Sequence, residues 1–488
     1  MRRLILTLCL LFAGGCATLA PERERPVVDL PGSWNDMRQA GAAVPVSTAA
    51  RDANATDIDE TGWRNIFSDA ALQQLISAAL QDNRNLRQAV LAMEKARAQY
   101  GISRADRLPS VDASGRNTNT RLPGELRGGI AGIDRQWAAG LGVTAFELDF
   151  FGRVQSLEDA ALEEYLATEE ARRAVHISLV SQVARAYLTL AGDREALTLT
   201  RETLQSRQAT LDLTLARVAN GLATDLERHQ AEEAVAVTQS EEARLKAQVA
   251  MDENALAVLT GRPVASLNLP ARAIRDVELG GPLAPGLPSE LLTRRPDILE
   301  AEHRLWAAGA QIGAARAAFF PRISLTGSMG YASLELTDLF DAAARTWTFV
   351  PSISLPIFDA GRIKANLDAA KAEQQIRVAA YELAVQNAFR EVADALARSE
   401  GYEGQVQAQA RRVASAGQSR ILVDRRYQAG LESAFAVHDA ERTLFSARQD
   451  LLAARLARKL TVVELYAALG GGWEERVATA SLQEKDSF

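Results

Sequence analysis

The chain has 488 residues, a formal net charge of −7 and only 6% aromatic residues, with no basic clusters interleaved with aromatics. That balance gives no support to a nucleic-acid partner. Its two cysteines, Cys9 and Cys16, both lie at the extreme N-terminus, which excludes a disulfide framework and a structural zinc site.

Taken in order, Arg2 and Arg3 precede a short apolar run from Leu4 to Phe12, and Ala13-Gly14-Gly15-Cys16 follows. This pattern is similar to a bacterial lipobox, with Ala13 where Leu is usual. Residues 1–15 therefore read as a lipoprotein signal peptide and Cys16 as the lipidated first residue; an ordinary secretory cleavage site is the alternative. Beyond a covalent lipid on Cys16, no cofactor is expected. Ala17 in place of Asp favours, by the same resemblance, sorting to the outer membrane. Residues 16–65 are rich in Pro, Ala and Asp and read as an extended arm. A helix is expected over Asp69–Ala105, strands over Leu108–Asn117 and Trp137–Leu148, and a Gly-rich loop between them over Pro123–Gly132.

The strongest architectural signal is a duplication. Proline is absent from Gly124 to Arg262 and again from Ile357 to the C-terminus. Gly152, Gly192, Gly221 and Gly261 recur 209 positions later as Gly361, Gly401, Gly430 and Gly470, and Arg153, Arg217 and Glu232 recur as Arg362, Arg426 and Glu441. Each repeat reads as helix, strand, loop, strand, long helix, tight turn, shorter helix. Val183, Leu190, Leu197, Leu204, Leu211 and Val218 fall every seventh residue, a coiled-coil seam. At 1.5 Å per residue, the long helix spans about 100 Å, the return helix about 60 Å and the helix before the strands about 55 Å. Two short helices end to end thus match one long one. Gly192 and Gly401, mid-helix, point to close helix approach or bending. The implied organisation is first repeat 66–262, linker 263–288, second repeat 289–470 and C-terminal tail 471–488.

Between Gly286 and Gly327 lies GLPSELLTRRPDILEAEHRLWAAGAQIGAARAAFFPRISLTG. It predicts a helix over Asp297–Ala318 with Ile298, Ala301, Leu305, Ala308 and Ile312 on one stripe, then a strand from Ile323 to Tyr331 with alternating faces. The run, with RRPDI followed by ARAAFFP, resembles the outer-membrane efflux proteins, the TolC-like exit ducts of Gram-negative tripartite pumps, and within them the NodT-like lipoprotein branch. A second alternating strand carries Trp347, Phe349, Ile353, Leu355 and Ile357 on one face and Thr348, Val350, Ser352 and Ser354 on the other. After the signal, no apolar run reaches the roughly 20 residues that a spanning helix needs. Open strand edges cannot sit in lipid, and single-chain barrels begin at about eight strands. A membrane barrel built from these four strands therefore requires oligomerisation; a small sheet in a soluble periplasmic coiled-coil protein is the alternative. The resemblance implies a homotrimer: a long α-helical coiled-coil barrel continuous with a 12-stranded β-barrel in outer-membrane lipid, four strands from each chain.

Chemistry-bearing motifs are absent. The four histidines are scattered without helical partners at metal-ligand spacing, and no P-loop, nucleophile elbow or dinucleotide fingerprint occurs, so neither a metal site nor an enzyme is expected. The resemblance places function at the hairpin tips, Arg217, Gly221 and Leu222 and their equivalents Arg426, Gly430 and Leu431. There the family closes its duct and receives a periplasmic membrane-fusion adaptor joined to an inner-membrane RND transporter. By the same carry-over Asp439 belongs to a periplasmic gate, with Tyr427 and Glu227 as latches, while Ala436 stands where an acidic or polar residue is common. A passive exit duct is the leading expectation; a non-conducting envelope lipoprotein that tethers other components is the other.

Overall fold

A computed structural model describes residues 18–28, 62–126, 128, 131–263, 266, 270, 272–280 and 291–472. The signal segment, Cys16, most of the arm, most of the linker and nearly all of the C-terminal tail lie outside the described residues. The elements run α1 (Trp63–Ile66), α2 (Ala70–Asp82), α3 (Arg84–Ala105), β1 (Asp112–Leu122), β2 (Gly132–Leu148), α4 (Arg153–Ala219), α5 (Asp225–Thr260), α6 (Leu291–Arg294), α7 (Pro296–Ala317), β3 (Arg322–Ser333), β4 (Arg345–Ser354), α8 (Arg362–Gln428) and α9 (Ala434–Ala468). They form two compact units. One comprises residues through Val27, Ala92–Glu169 and Glu300–Leu383; the other comprises Val28–Leu91, Glu170–Leu299 and the chain from Ala384.

The sheet unit holds one antiparallel sheet in the order β1-β2-β3-β4. β3 and β4 pair Ile323 with Ile353, Leu325 with Pro351, Gly327 with Phe349 and Met329 with Trp347, so one face is apolar. That face continues onto β2 through Leu148, Phe146 and Leu141, opposite Ile323, Leu325 and Met329. The other face pairs Ser324 with Ser352, whose hydroxyls are 2.7 Å apart, and Ser328 with Thr348. Trp347 is 78% exposed and Ile353 72%, which leaves an apolar surface uncovered in a single chain.

Three strand limits differ from the sequence expectation. β1 occupies Asp112–Leu122 rather than Leu108–Asn117, because its polar, Asn- and Thr-rich sequence is aligned by pairing with β2 rather than by its own pattern. β2 begins at Gly132 and carries a bulge between Val143 and Phe146, where Ala145 takes a positive φ of 51°. β4 stops at Ser354, so Leu355 and Ile357 fall beyond it. Pro351 sits within β4, where an edge strand tolerates the missing donor.

In the helical unit, the helix expected over Asp69–Ala105 is two helices. Asn83 leaves the helical region (φ −65°, ψ 128°), accepts from the backbone N–H groups of Asn85 and Leu86, and donates to the Leu259 carbonyl at 2.9 Å. A local cap plus one long-range bond wins over continued helix at that position. Asp69 caps α2 in the same manner and is itself buried. It accepts from Ala71 and Leu72 backbone N–H groups, from the Tyr187 hydroxyl at 3.2 Å and from Arg272 at 2.8 Å. The core around it contains Trp63, Phe67, Leu72, Leu75, Ile76, Leu256 and Tyr466, with the Phe67 and Tyr466 rings edge to face at 5.1 Å. Buried Arg295, from the RRPDI run, donates to the Ala468 carbonyl, to Asp297 and to Glu391.

The duplication is a property of the backbone. α4 and α8 each have 67 residues and start 209 positions apart, and α5 and α9 start with the same offset. Gly152, Gly221 and Gly261 have φ near +70°, and Gly361, Gly430 and Gly470 are also positive. The heptad seam is buried at Val183, Leu190, Leu197 and Leu211. The two mid-helix glycines part company. A β-carbon at Gly192 would lie 3.1 Å from the Leu456 side chain, whereas one at Gly401 would meet nothing within 4 Å. Close approach holds at the first and not at the second.

Candidate functional site

Two antiparallel helical hairpins, α4–α5 and α8–α9, end in turns of one design. In the first, Gly221 takes φ 68°, and the Gly221 and Leu222 N–H groups donate to the carbonyls of Val218 (3.0 Å) and Arg217 (2.8 Å). In the second, Gly430 takes φ 73°, and Gly430 and Leu431 donate to Tyr427 (3.0 Å) and Arg426 (2.9 Å). This is a left-handed helix stop that glycine adopts without the Cβ penalty. A polar residue then caps the return helix: Thr224 for α5 and Ser433 for α9.

Both tips turn apolar side chains outward. Leu222 and Leu431 are each 69% exposed, and Leu226 and Phe435, again 209 positions apart, are exposed beside them. Leu226 and Phe435 were not singled out from sequence; their signal is a large apolar residue in the first turn after a polar cap. Open space at both Gly221 and Gly430 leaves the turns accessible.

Arg217 and Tyr427 meet across the two hairpins. The Arg217 guanidinium donates to the Tyr427 hydroxyl and lies 5.2 Å from the centre of its ring. Glu227 is placed differently: its carboxylate accepts from the Thr224 backbone N–H at 2.7 Å and Thr224 accepts in return, completing a capping box. Within the chain Tyr427 is therefore held by Arg217, and Glu227 by its own cap. Arg426 pairs with Glu432 at 3.3 Å. Asp439, one turn into α9, pairs with Arg442 at 2.5 Å, a partner that sequence reading did not name.

Against this geometry, the sequence profile described as "Outer membrane efflux protein" matches residues 75–262 and 287–471. The chain belongs to that family. It is 43% identical over 462 residues to outer membrane protein OprJ of Pseudomonas aeruginosa, covering 94% of both chains. It is 44% identical over 475 residues to the toluene efflux pump outer membrane protein TtgC of Pseudomonas putida, covering 96% of this chain and 95% of that one. The open-state structure of the Neisseria gonorrhoeae MtrE outer membrane channel superposes with a TM-score of 0.82 at 38% identity, covering 93% of this chain and 98% of that one. This efflux protein is thus mainly helical, with a helical-barrel portion and four strands of a membrane β-barrel, and it is an outer-membrane exit duct.

Polar groups are buried in the hairpins of this efflux protein as well. Arg207 donates to the Ala234 carbonyl (3.0 Å) and the Thr238 hydroxyl (2.5 Å) and lies over the Phe445 ring; burial lowers its pKa. Asp193 on α4 and Asp252 on α5 lie close enough to interact, and Gln248 donates to Asp252 at 2.9 Å. The Asp193 carboxyl is pushed up to about 6, by burial first and then by the neighbouring Asp252 carboxyl, with Arg244 opposing. Among the described residues no cluster of three or more His, Cys, Asp or Glu side chains is placed to hold a metal ion, and no helix is long and apolar enough to cross a membrane.

Proposed function

We propose that three copies of this chain close a 12-stranded barrel, and that its hairpin tips seat a periplasmic membrane-fusion adaptor through which an inner-membrane RND transporter delivers drugs or other small molecules. The observation that carries the adaptor reading is the pair of matching tips. Each has a positive-φ glycine with open space, followed by an exposed leucine and a second exposed apolar residue. Exposed apolar side chains at the end of a helical hairpin suit the apolar stripe of a partner helix. The trimer is supported by the sheet: β1 and β4 each have one edge without a partner strand among the described residues, and such edges are not tolerated in lipid.

Asp439 contributes to a narrow acidic constriction at the periplasmic end, and the Arg217–Tyr427 contact ties the two hairpins of a chain together when the duct is closed. Cys16 carries the lipid anchor. Gly430→Trp is the test of the tip. It should abolish pump-dependent drug resistance and adaptor cross-linking while heat-resistant trimers and bilayer conductance persist. Retained efflux with normal cross-linking would reduce the tip to a helix stop. Mass spectrometry of the mature N-terminus should find an acylated Cys16; residues before it, or a free thiol, would remove the lipid from this reading.

A further inference from the structure

Residues 18–25 are laid along one face of α7, antiparallel to it. From the C-terminal end of the helix backwards, Arg316 donates to the Leu19 carbonyl at 2.8 Å. Gly313 underlies Ala20, Gly309 underlies Pro21, Trp306 lies beneath Arg23, and Glu302 binds Arg25. The positions 316, 313, 309, 306 and 302 are the three-and-four spacing of a single helical stripe. At Gly313 the fit is tight: a β-carbon would stand 2.8 Å from the Ala20 nitrogen and 2.7 Å from the Ser156 hydroxyl, so only glycine admits the segment. Thr18 meets that same Ser156 hydroxyl at 3.3 Å.

The charges on this stripe are matched. Arg23 and Arg25, two apart in an extended segment, reach the same side. Arg23 pairs with Glu163 at 2.7 Å and its guanidinium lies 5.5 Å from the Trp306 ring centre. Arg25 binds Glu302 through both Nε and Nη2, which raises its own pKa. The two glutamate side chains are only 3% exposed, while the two arginine side chains are about half exposed. Among the described residues Glu163 also meets His303 at 2.8 Å; Asp159 feels the Arg23 charge, and Tyr381 neighbours the Arg25–Glu302 pair.

We propose that residues 18–25 are a clasp: a strap whose two arginines are the required counter-ions of two buried glutamates, so that the sheet unit reaches full stability only with its N-terminal segment docked. A buried carboxylate that loses its partner is strongly destabilising, whereas one replaced by a neutral group of similar shape is not. The structure therefore assigns Glu163, Glu302 and Gly313 to an intramolecular docking groove, with the chain's own N-terminal strap as the occupant. The inference stands whether or not Cys16 is acylated, since it concerns residues that follow it.

The test uses the detergent-solubilised full-length protein and trypsin, which cuts after Arg23 but not at the Arg25–Pro26 bond. Cleavage after Arg23 should be slow in the wild type. Glu163→Gln/Glu302→Gln releases the strap without leaving a buried charge and should speed that cut by about tenfold or more, because cleavage follows the population of the undocked segment. Arg23→Ala/Arg25→Ala should lower the thermal-unfolding midpoint, and adding Glu163→Gln/Glu302→Gln should recover most of the loss, which a purely space-filling strap would not do. The clasp is overturned if wild type and Glu163→Gln/Glu302→Gln are cut at one rate, or if Arg23→Ala/Arg25→Ala melts with the wild type.

Discussion

The two hairpins share a backbone and differ in what they bury. α4–α5 and α8–α9 match in helix length to within one residue, in the positive-φ glycine at the tip and in a hydroxyl cap after it. Along the seam the first hairpin has Leu211 and Val218 where the second has Arg420 and Tyr427, and Arg207 where the second has Ala416. Arg420 pairs with Glu441 at 3.3 Å across its own hairpin, and Tyr427 turns its hydroxyl to Arg217. Each hairpin thus combines apolar packing with polar pairs at different positions: Arg207 with Thr238 in the first, Arg420 with Glu441 in the second. Positions that set chain direction have stayed equal after duplication, and positions that set adhesion have diverged.

The largest test of that contrast lies at the mid-helix glycines. Gly192→Phe should lower thermal stability by about 3 kcal/mol or prevent assembly, since Leu456 already stands within reach of a β-carbon. Gly401→Ala should instead raise stability by up to about 1 kcal/mol, because it adds helix propensity in open space. Equal effects at the two sites would erase the difference between the hairpins.

The acid pair sharpens it next, because Asp193 and Asp252 correspond to Tyr402 and Thr461 and so exist only in the first hairpin. With its folded pKa raised from the ordinary 3.8 to about 6, Asp193 keeps a proton in the folded chain that the unfolded chain has already released. Its contribution is therefore complete below about pH 4 and is lost as the pH rises through about 6. Asp193→Asn should flatten the fall in thermal midpoint across that window. An unchanged pH profile would show that the pair carries no linked proton.

The smallest effect concerns the caps. Glu227→Ala breaks the first capping box and should cost about 0.5–1 kcal/mol, while Ala436→Glu completes a second box behind Ser433 and should gain a similar amount. Hydrogen exchange in the first turn of α5 and of α9 would register both, with protection moving in opposite directions.

Much of the backbone was legible in the residues, for a local reason. A helix stop needs glycine at one position, so the duplicated glycines mark helix ends whatever surrounds them, and the heptad leucines declare a seam. β3 and most of β4 were legible because their two faces differ chemically. β1 was not, since its register comes from β2 and its own side chains are nearly uniform in polarity. The break at Asn83 was hidden because asparagine ends a helix only where a partner such as the Leu259 carbonyl receives its amide. At the tips, the turn glycines could be named in advance. The contact of Arg217 with Tyr427 and the self-capping of Glu227 could not, because each depends on which of several nearby acceptors the folded chain offers.

The equal offset of the two tips has a consequence for how such a duct changes over generations. Each chain carries two tips of one backbone shape and unequal side-chain chemistry, so a substitution in one leaves the other as it was. The backbone of each stop can therefore be kept by its glycine while the apolar side chains around it drift separately, as Leu226 and Phe435 already have.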